Sequence, residues 1–281
     1  MGELKDMANK YLLIPHLKIL NANAASSPYI IGFPAMTAWL GAVHALERNV
    51  QSAGFESVKL PKVGVVCHDF NLQVYEGANH VNHIIGKKHP LNKAGKMDGI
   101  IEEPFCHVEI SMLIEIEGLA DENDLAFEKA VASKLLSMRV ASGDVLKTKR
   151  CFEHIRVYAV DEDGDVTARR LRGMLMPGYA LVDASELMER EDGKDSIDTL
   201  LDVIQRKKPS SGWIVPITVG FRDLSGAIEV SNQRTYDVEH HFAEPICTTG
   251  KFVMPYRFEK LEDMMWHYEY DKPQGLYMCK N

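Results

Sequence analysis

The apolar positions fall into two periods, alternation and a helical stripe, and together they lay out the first half of the chain. Tyr11 to Leu20 is apolar and weakly alternating, which predicts a central strand with Pro15 as an irregularity. Asn21 to Pro28 is rich in loop formers. Gly32-Phe33-Pro34 then opens a helix, with proline in a first-turn position. Inside it Met36, Trp39, Leu40, Val43 and Leu46 make one buried stripe. Lys62 to Tyr75 reads as a strand. Residues 78–99 form a long, basic, Gly- and Pro-containing excursion, a protruding hairpin or loop. Val108, Ile110, Met112, Ile114 and Ile116 alternate with His107, Glu109, Ser111 and Glu115, which predicts a half-buried strand over Phe105 to Ile116. A helix follows over Asp124 to Arg139, acidic at its start and basic at its end, and Ser142-Gly143-Asp144 stops it. Phe152 to Val160 returns as a strand.

Strand, helix, strand, excursion, strand, helix, strand is the β-α-β-β-α-β order of a ferredoxin-like or RRM-type fold. The expected class is therefore α+β. A ferredoxin-like core over residues 1–160 carries the excursion at 78–99, and a mixed α/β region over 161–281 packs on it without a clear linker. That second region shows strands at Tyr179 to Val182, Trp213 to Val219 and Lys251 to Pro255. It also shows helices at Ser196 to Gln205 and Phe258 to Met265, and a last strand at Trp266 to Tyr270.

Composition narrows the class. The 281 residues are 46% hydrophobic and 26% charged, as in an ordinary globular protein with a proper core. The first ten residues are polar and no apolar run is long enough to span a bilayer, so neither a secretory signal nor a membrane helix is expected. The 5 cysteines are odd in number and never spaced as C-x-x-C, which fits reduced thiols in a cytoplasm.

A net charge of −8 speaks against nucleic acid until its distribution is considered. No Asp or Glu occurs between Asp6 and Glu47, from Gly77 to Met97, from Val166 to Val182, or from Val203 to Arg222. Those windows hold Lys10, Lys18, Lys87, Lys88, Lys93, Lys96, Arg169, Arg170, Arg172, Arg206, Lys207, Lys208 and Arg222. If they converge in space, the molecule has one face fit for phosphates. The alternative is that acid-free stretches are simply buried strands.

Five segments carry a resemblance. They are Ile19 to Pro34 before a Trp-containing helix, Met138 to Leu146, Met176 to Val182, Gly212 to Phe221, and Pro255 to Phe258 with Trp266 to Tyr268 and Gly275 to Tyr277 beyond it. In this order they resemble the 5′-handle subunits of type I-F CRISPR (Csy, or Cascade) complexes, members of the RAMP superfamily of RRM-fold proteins. The stretch between Arg206 and Trp213 is short by comparison. The resemblance implies a ferredoxin-like core with a protruding thumb, no catalytic residues and no cofactor. It also implies pairing with the large subunit of the complex, contact with the adjacent backbone subunit, and capture of the guide RNA's 5′ handle in antiviral interference.

Candidate contacts follow. Asn21, Asn23, Ser26 and Ser27 offer amides and hydroxyls to bases and phosphates beside a helix amino end, or else cap their own turn. Lys147, Lys149 and Arg150, with the Arg169, Arg170 and Arg172 cluster, suit phosphates and unpaired bases, or else form solvated faces balanced by Asp161 to Asp165. Lys87, Lys88, Lys93 and Lys96 on the excursion, the expected thumb, suggest loose electrostatics toward guide RNA or target double-stranded DNA. His80, His83 and His89 lack the spacing and partners of a zinc site. Two rival classes remain. One is an RNA-cutting enzyme using His16, His44 or Tyr29; the other is a scaffold whose basic windows meet only acidic proteins.

Overall fold

The computed structural model describes residues 9–160, 165–188, 193–205, 213–231, 233, 235 and 237–281. Its main elements are β1 (Asn9–Asn23), α1 (Met36–Gln51), β2 (Val63–Leu72), β3 (Phe105–Ile116), α2 (Asp124–Leu135), β4 (Gly143–Leu146) and β5 (Arg156–Val160). The second half adds α3 (Asp165–Met174), β6 (Tyr179–Asp183), α4 (Ser196–Gln205), β7 (Trp213–Asp223), β8 (Ala243–Val253), β9 (His267–Asp271) and β10 (Leu276–Lys280). The fold is α+β and dominated by one antiparallel sheet.

β1 is the axis of the first half. One edge pairs with β3 along most of its length; the other pairs with β5 at Asn9 to Leu13 and with β4 at Lys18 to Leu20. β2 pairs with the far edge of β3. The sheet then continues through β6, β8, β7, β10 and β9, so both sequence halves share it.

Two faces result from alternation, which on β1 changes phase between Ile14 and Leu17. On one, Leu12, Ile14, Leu17 and Ile19 of β1 and the even-numbered residues of β3 meet α1 and α2 in the main core. The α1 stripe of Met36, Trp39, Leu40, Val43 and Leu46 is buried as its spacing predicts, extended by Ala42 and Val50. On the other, Tyr11, Leu13, Val66 and Leu113 lie under Leu171 of α3, Leu175 just after it, and Leu261, Met264 and Met265. The buried Trp266 indole donates to the Leu181 carbonyl at 2.7 Å, which clasps the C-terminal segment to β6.

Several expectations are corrected. The helix over 124–139 stops at Leu135, and Arg139–Val140 instead pairs with β4 across a two-residue turn. Both turn residues, Ala141 and Ser142, have positive φ (48° and 66°), the signature of a type I′ hairpin. Gly143 follows because a Cβ there would sit 2.7 Å from the Leu20 carbonyl. The strand expected from Phe152 begins at Arg156, after a short helix at Lys149–Phe152. The expected loop after Leu20 is strand up to Asn23, with Asn21 at positive φ in a register shift, and Ala25–Ser27 then pairs with Ile30–Ile31. The helix expected over 258–265 is two 3₁₀ turns, Pro255–Arg257 and Glu262–Met264. Its carbonyls at Phe258 and Glu259 are taken by the Arg172 guanidinium, so they are not available to a helical ladder. The 78–99 excursion is built on two small ribbons, Val74–Glu76 with Asn82–Ile84 and Lys87–Lys88 with Ile101–Glu102, both mostly exposed.

Trp266→Phe removes the donor to Leu181 from a dry site. We expect it to lower unfolding free energy by about 1–3 kcal/mol in urea titration, and Trp266→Ala by about 3–5 kcal/mol.

Candidate nucleic-acid interface

The second sheet face changes character halfway along. Its apolar half lies under α3. Its other half, from His16 and Lys18 of β1 across Glu109 and Ser111 of β3 to His68 of β2, is polar. Two register shifts make this possible. One falls between Ile14 and Leu17, with His16 at φ 47°, and the other between Cys67 and Asp69. Each turns a histidine onto this face and breaks the apolar alternation.

The hydrogen bonds fix the protons. The Arg150 guanidinium, which only donates, reaches His16 Nε2 at 3.0 Å. His16 Nε2 is therefore the acceptor, and its Nδ1–H donates to Glu109 at 2.8 Å. The His16 backbone N–H donates to Ser111 Oγ at 3.0 Å. That hydroxyl donates to His68 Nε2 at 2.7 Å, and His68 Nδ1–H donates to the Pro177 carbonyl at 2.6 Å. The two rings lie 4.1 Å apart, and both are neutral. Gly178 is required here, because a Cβ at this position would stand 2.8 Å from His68 Nδ1.

Glu109 organises the charges. Burial acts to raise its pKa, but hydrogen bonds from His16 and Lys18 outweigh that and hold the carboxyl below its ordinary value. Lys18 lies 3.2 Å and Arg150 3.3 Å from the same carboxylate. The Glu109 side chain is 13% exposed against 47% for Lys18 and 61% for Arg150, so the surface that solvent meets is cationic. Burial chiefly, with Arg150 opposing protonation, pushes His16 below its ordinary value; burial also lowers His68.

The sequence candidates distribute unevenly over this frame. Arg150 joins the Glu109 cluster, and Lys147 follows Leu146, which pairs with Lys18. Lys147 and Lys149 are exposed beside it. Farther along β1, the Asn21 N–H donates to His107 Nδ1 at 3.1 Å. Asn23, Lys88 and Ser142 line one cleft of about 310 Å³, bringing the strand end, the excursion and the type I′ turn together. The Asn23 amide is also engaged in its own turn with Ala25, and Ser27 Oγ accepts from the Tyr29 N–H. Ser26 receives a hydrogen bond from Thr218 at 3.2 Å. Lys88 pairs with Glu103 at 2.6 Å. Lys87, Lys93 and Lys96 are exposed on the excursion. Arg169 and Arg170 are exposed on α3, whereas Arg172 is buried on the Phe258 and Glu259 carbonyls and holds that helix in place. Lys10 is buried between Asp121 and Asp124. Arg206, Lys207 and Lys208 lie outside the described residues. Of the possible catalytic trio, His44 and Tyr29 are exposed; the His44 ring faces Tyr268 and the Tyr29 N–H bonds Ser27, away from His16.

Sequence reasoning missed His68 and Glu109. The available signal was the polar side of β3: His107, Glu109 and Ser111 in succession on a central strand have no reason to face a core.

The chain matches the family model described as CRISPR-associated protein (Cas_Csy2) over residues 12–279. It is also 31% identical, over 95% of its length and 93% of the relative's, to the CRISPR-associated protein Csy2 of Pseudomonas aeruginosa (strain UCBPP-PA14). The chain belongs to the Cas_Csy2 family. The match spans both sequence halves, as the continuous sheet does. No helix among the described residues of this Cas_Csy2 member is long and apolar enough to cross a membrane.

The neutral histidine pair predicts a pH response. Both folded-state pKa values are depressed below 6.5, so the contribution to stability is complete above that pH and is lost as pH falls below it. Melting temperature measured from about pH 8 to about pH 5 should hold and then fall. The fall should be shallower in the His16→Gln/His68→Gln double variant.

Proposed function

We propose that this chain is a subunit of a type I-F Csy complex that grips the 5′ handle of the guide RNA and catalyses no reaction. Family membership supports a place in a CRISPR complex. The observation that carries the RNA reading is the polar half of the sheet face, where a half-buried carboxylate holds Lys18 and Arg150 toward solvent beside Lys147 and Lys149. Phosphate contacts of this kind position a strand, and free amides and aromatics read its bases.

The core is of the ferredoxin-like kind, as in RAMP proteins. In support, its four strands lie in the order β4/β5, β1, β3, β2 with α1 and α2 on one face. The opposite face is then free for RNA beyond the cover of α3. Asn21, Asn23, Ser26 and Ser27 hold the strand's end near Lys88, and Arg169 and Arg170 add cations from α3. The 78–99 excursion is the thumb. Its Lys87, Lys93 and Lys96 meet guide RNA or target double-stranded DNA. Its exposed Ile85, Leu91 and Met97 suit the adjacent backbone subunit. The large subunit is the other protein partner. Absence of catalysis rests on the histidine pair, whose four ring nitrogens are all engaged within the fold.

The test is equilibrium binding of handle RNA to the full chain across salt concentrations. Lys147→Glu/Lys149→Glu should weaken binding and reduce the salt slope by roughly 0.7 for each phosphate no longer neutralised. Arg169→Glu/Arg170→Glu should act in the same direction, with assembly with the other subunits retained. Undiminished RNA binding in both variants would support the scaffold reading. A defined product from repeat RNA would show an enzyme.

A further inference from the structure

β2 and β6 pair only at Cys67 with Tyr179 and Val66 with Ala180. Beyond this contact the sheet forks. β2 continues beside β3, while β7 and β8 run on as a separate branch. The fork encloses a cavity of about 510 Å³ walled by Phe33, Phe70, Tyr179, Trp213 and Phe252, with Asp69 at its margin.

Three features distinguish it from a packing defect. Trp213 is 61% exposed although it sits in a strand. One side of its indole is supported by Phe252, 5.3 Å away between ring centres, and Tyr179 stands edge-on at 6.3 Å. The pocket margin carries an exposed carboxylate, Asp69, for which no partner occurs among the described residues. His68 also lines the cavity, and its ring lies 4.1 Å from that of His16, whose Nε2 accepts from Arg150 at 3.0 Å. An aromatic slot with one acceptor is thus contiguous with the cationic cluster.

We propose that this cavity takes one unstacked nucleobase of the bound RNA, bearing an exocyclic amino group, with Trp213 as its stacking surface and Asp69 as its acceptor. The inference rests on the RNA reading above. A flat ring fits between an exposed indole and an edge-on tyrosine, and stacking tolerates any base. The carboxylate accepts only, so it pairs with an exocyclic amino group such as that of cytosine, whereas the one donor on the uracil edge, N3–H, lies between two carbonyl oxygens that repel the carboxylate. The neighbouring Lys18 and Arg150 hold the phosphates that flank such a base, which favours a nucleotide over an apolar protein anchor.

Trp39 and Trp266 are buried, so Trp213 alone among the tryptophans is open to a stacking base. Single-stranded oligo(C), oligo(A) and oligo(U) are titrated against the full chain while its fluorescence is followed. Oligo(C) is expected to quench Trp213 emission and to bind more tightly than oligo(U). Trp213→Leu should weaken oligo(C) binding roughly ten-fold or more, and Trp213→Phe less. Asp69→Asn should narrow the preference for C over U, a readout that loss of folding would not mimic. Unchanged oligo(C) affinity in Trp213→Leu, while Lys147→Glu/Lys149→Glu loses it, would overturn the pocket and leave the RNA reading standing. Unchanged RNA affinity with lost assembly on protein subunits would assign the pocket to a protein anchor instead. No oligonucleotide binding by the unaltered chain would overturn both readings.

Discussion

A carboxylate set into a sheet face must be compensated, and Glu109 meets this demand by gathering cations. Its oxygens take the His16 proton, the Lys18 ammonium and the Arg150 guanidinium within 3.3 Å. Left unpaired, a charge so sheltered would be costly. Left without it, Lys18 and Arg150 would repel each other and His16 would lose its fixed tautomer. The arrangement places the negative charge inside and the positive ends outside. A protein of net charge −8 thereby presents a cationic surface to solvent in one place. The two register shifts serve this site, because without them His16 and His68 would not reach Ser111 from opposite strands.

The same face is divided by what covers it. α3 and the residue after it sit on the apolar half through Leu171 and Leu175, and Arg172 anchors the helix by binding the carbonyls of a segment that cannot use them in a helix. The polar half remains open for that reason. Where β2 parts from β6 the open face leads to the aromatic cavity of the fork. One continuous sheet therefore supplies a packed half, a cationic half and an aromatic slot.

Much of the first half was legible in the sequence. The alternation over Phe105 to Ile116 and the stripe from Met36 to Leu46 are local patterns, and each is realised as spaced because burial of one face depends only on neighbours in the chain. Pro15 marked the first irregularity correctly. The second half was harder to read. β8 runs from Ala243 to Val253, yet a strand was expected only from Lys251, and Thr248, Thr249 and Gly250 are buried within it. The spacing of Phe258, Leu261 and Met265 is helical, but a distant arginine takes the carbonyls such a helix would need.

The candidate site divides in the same way. Residue types and their clustering determined that basic groups are separated from acidic ones along the chain, and that His107, Glu109 and Ser111 share a side of a strand. They did not determine which cations stay exposed. Lys10 and Arg172 read as members of the same class as Lys18 and Arg150, and only the tertiary structure buries the first two against Asp121, Asp124 and backbone carbonyls. The reason is range. Periodicity encodes which face a residue takes, whereas the partner that neutralises a charge or opens a cavity comes from elements scores of residues away.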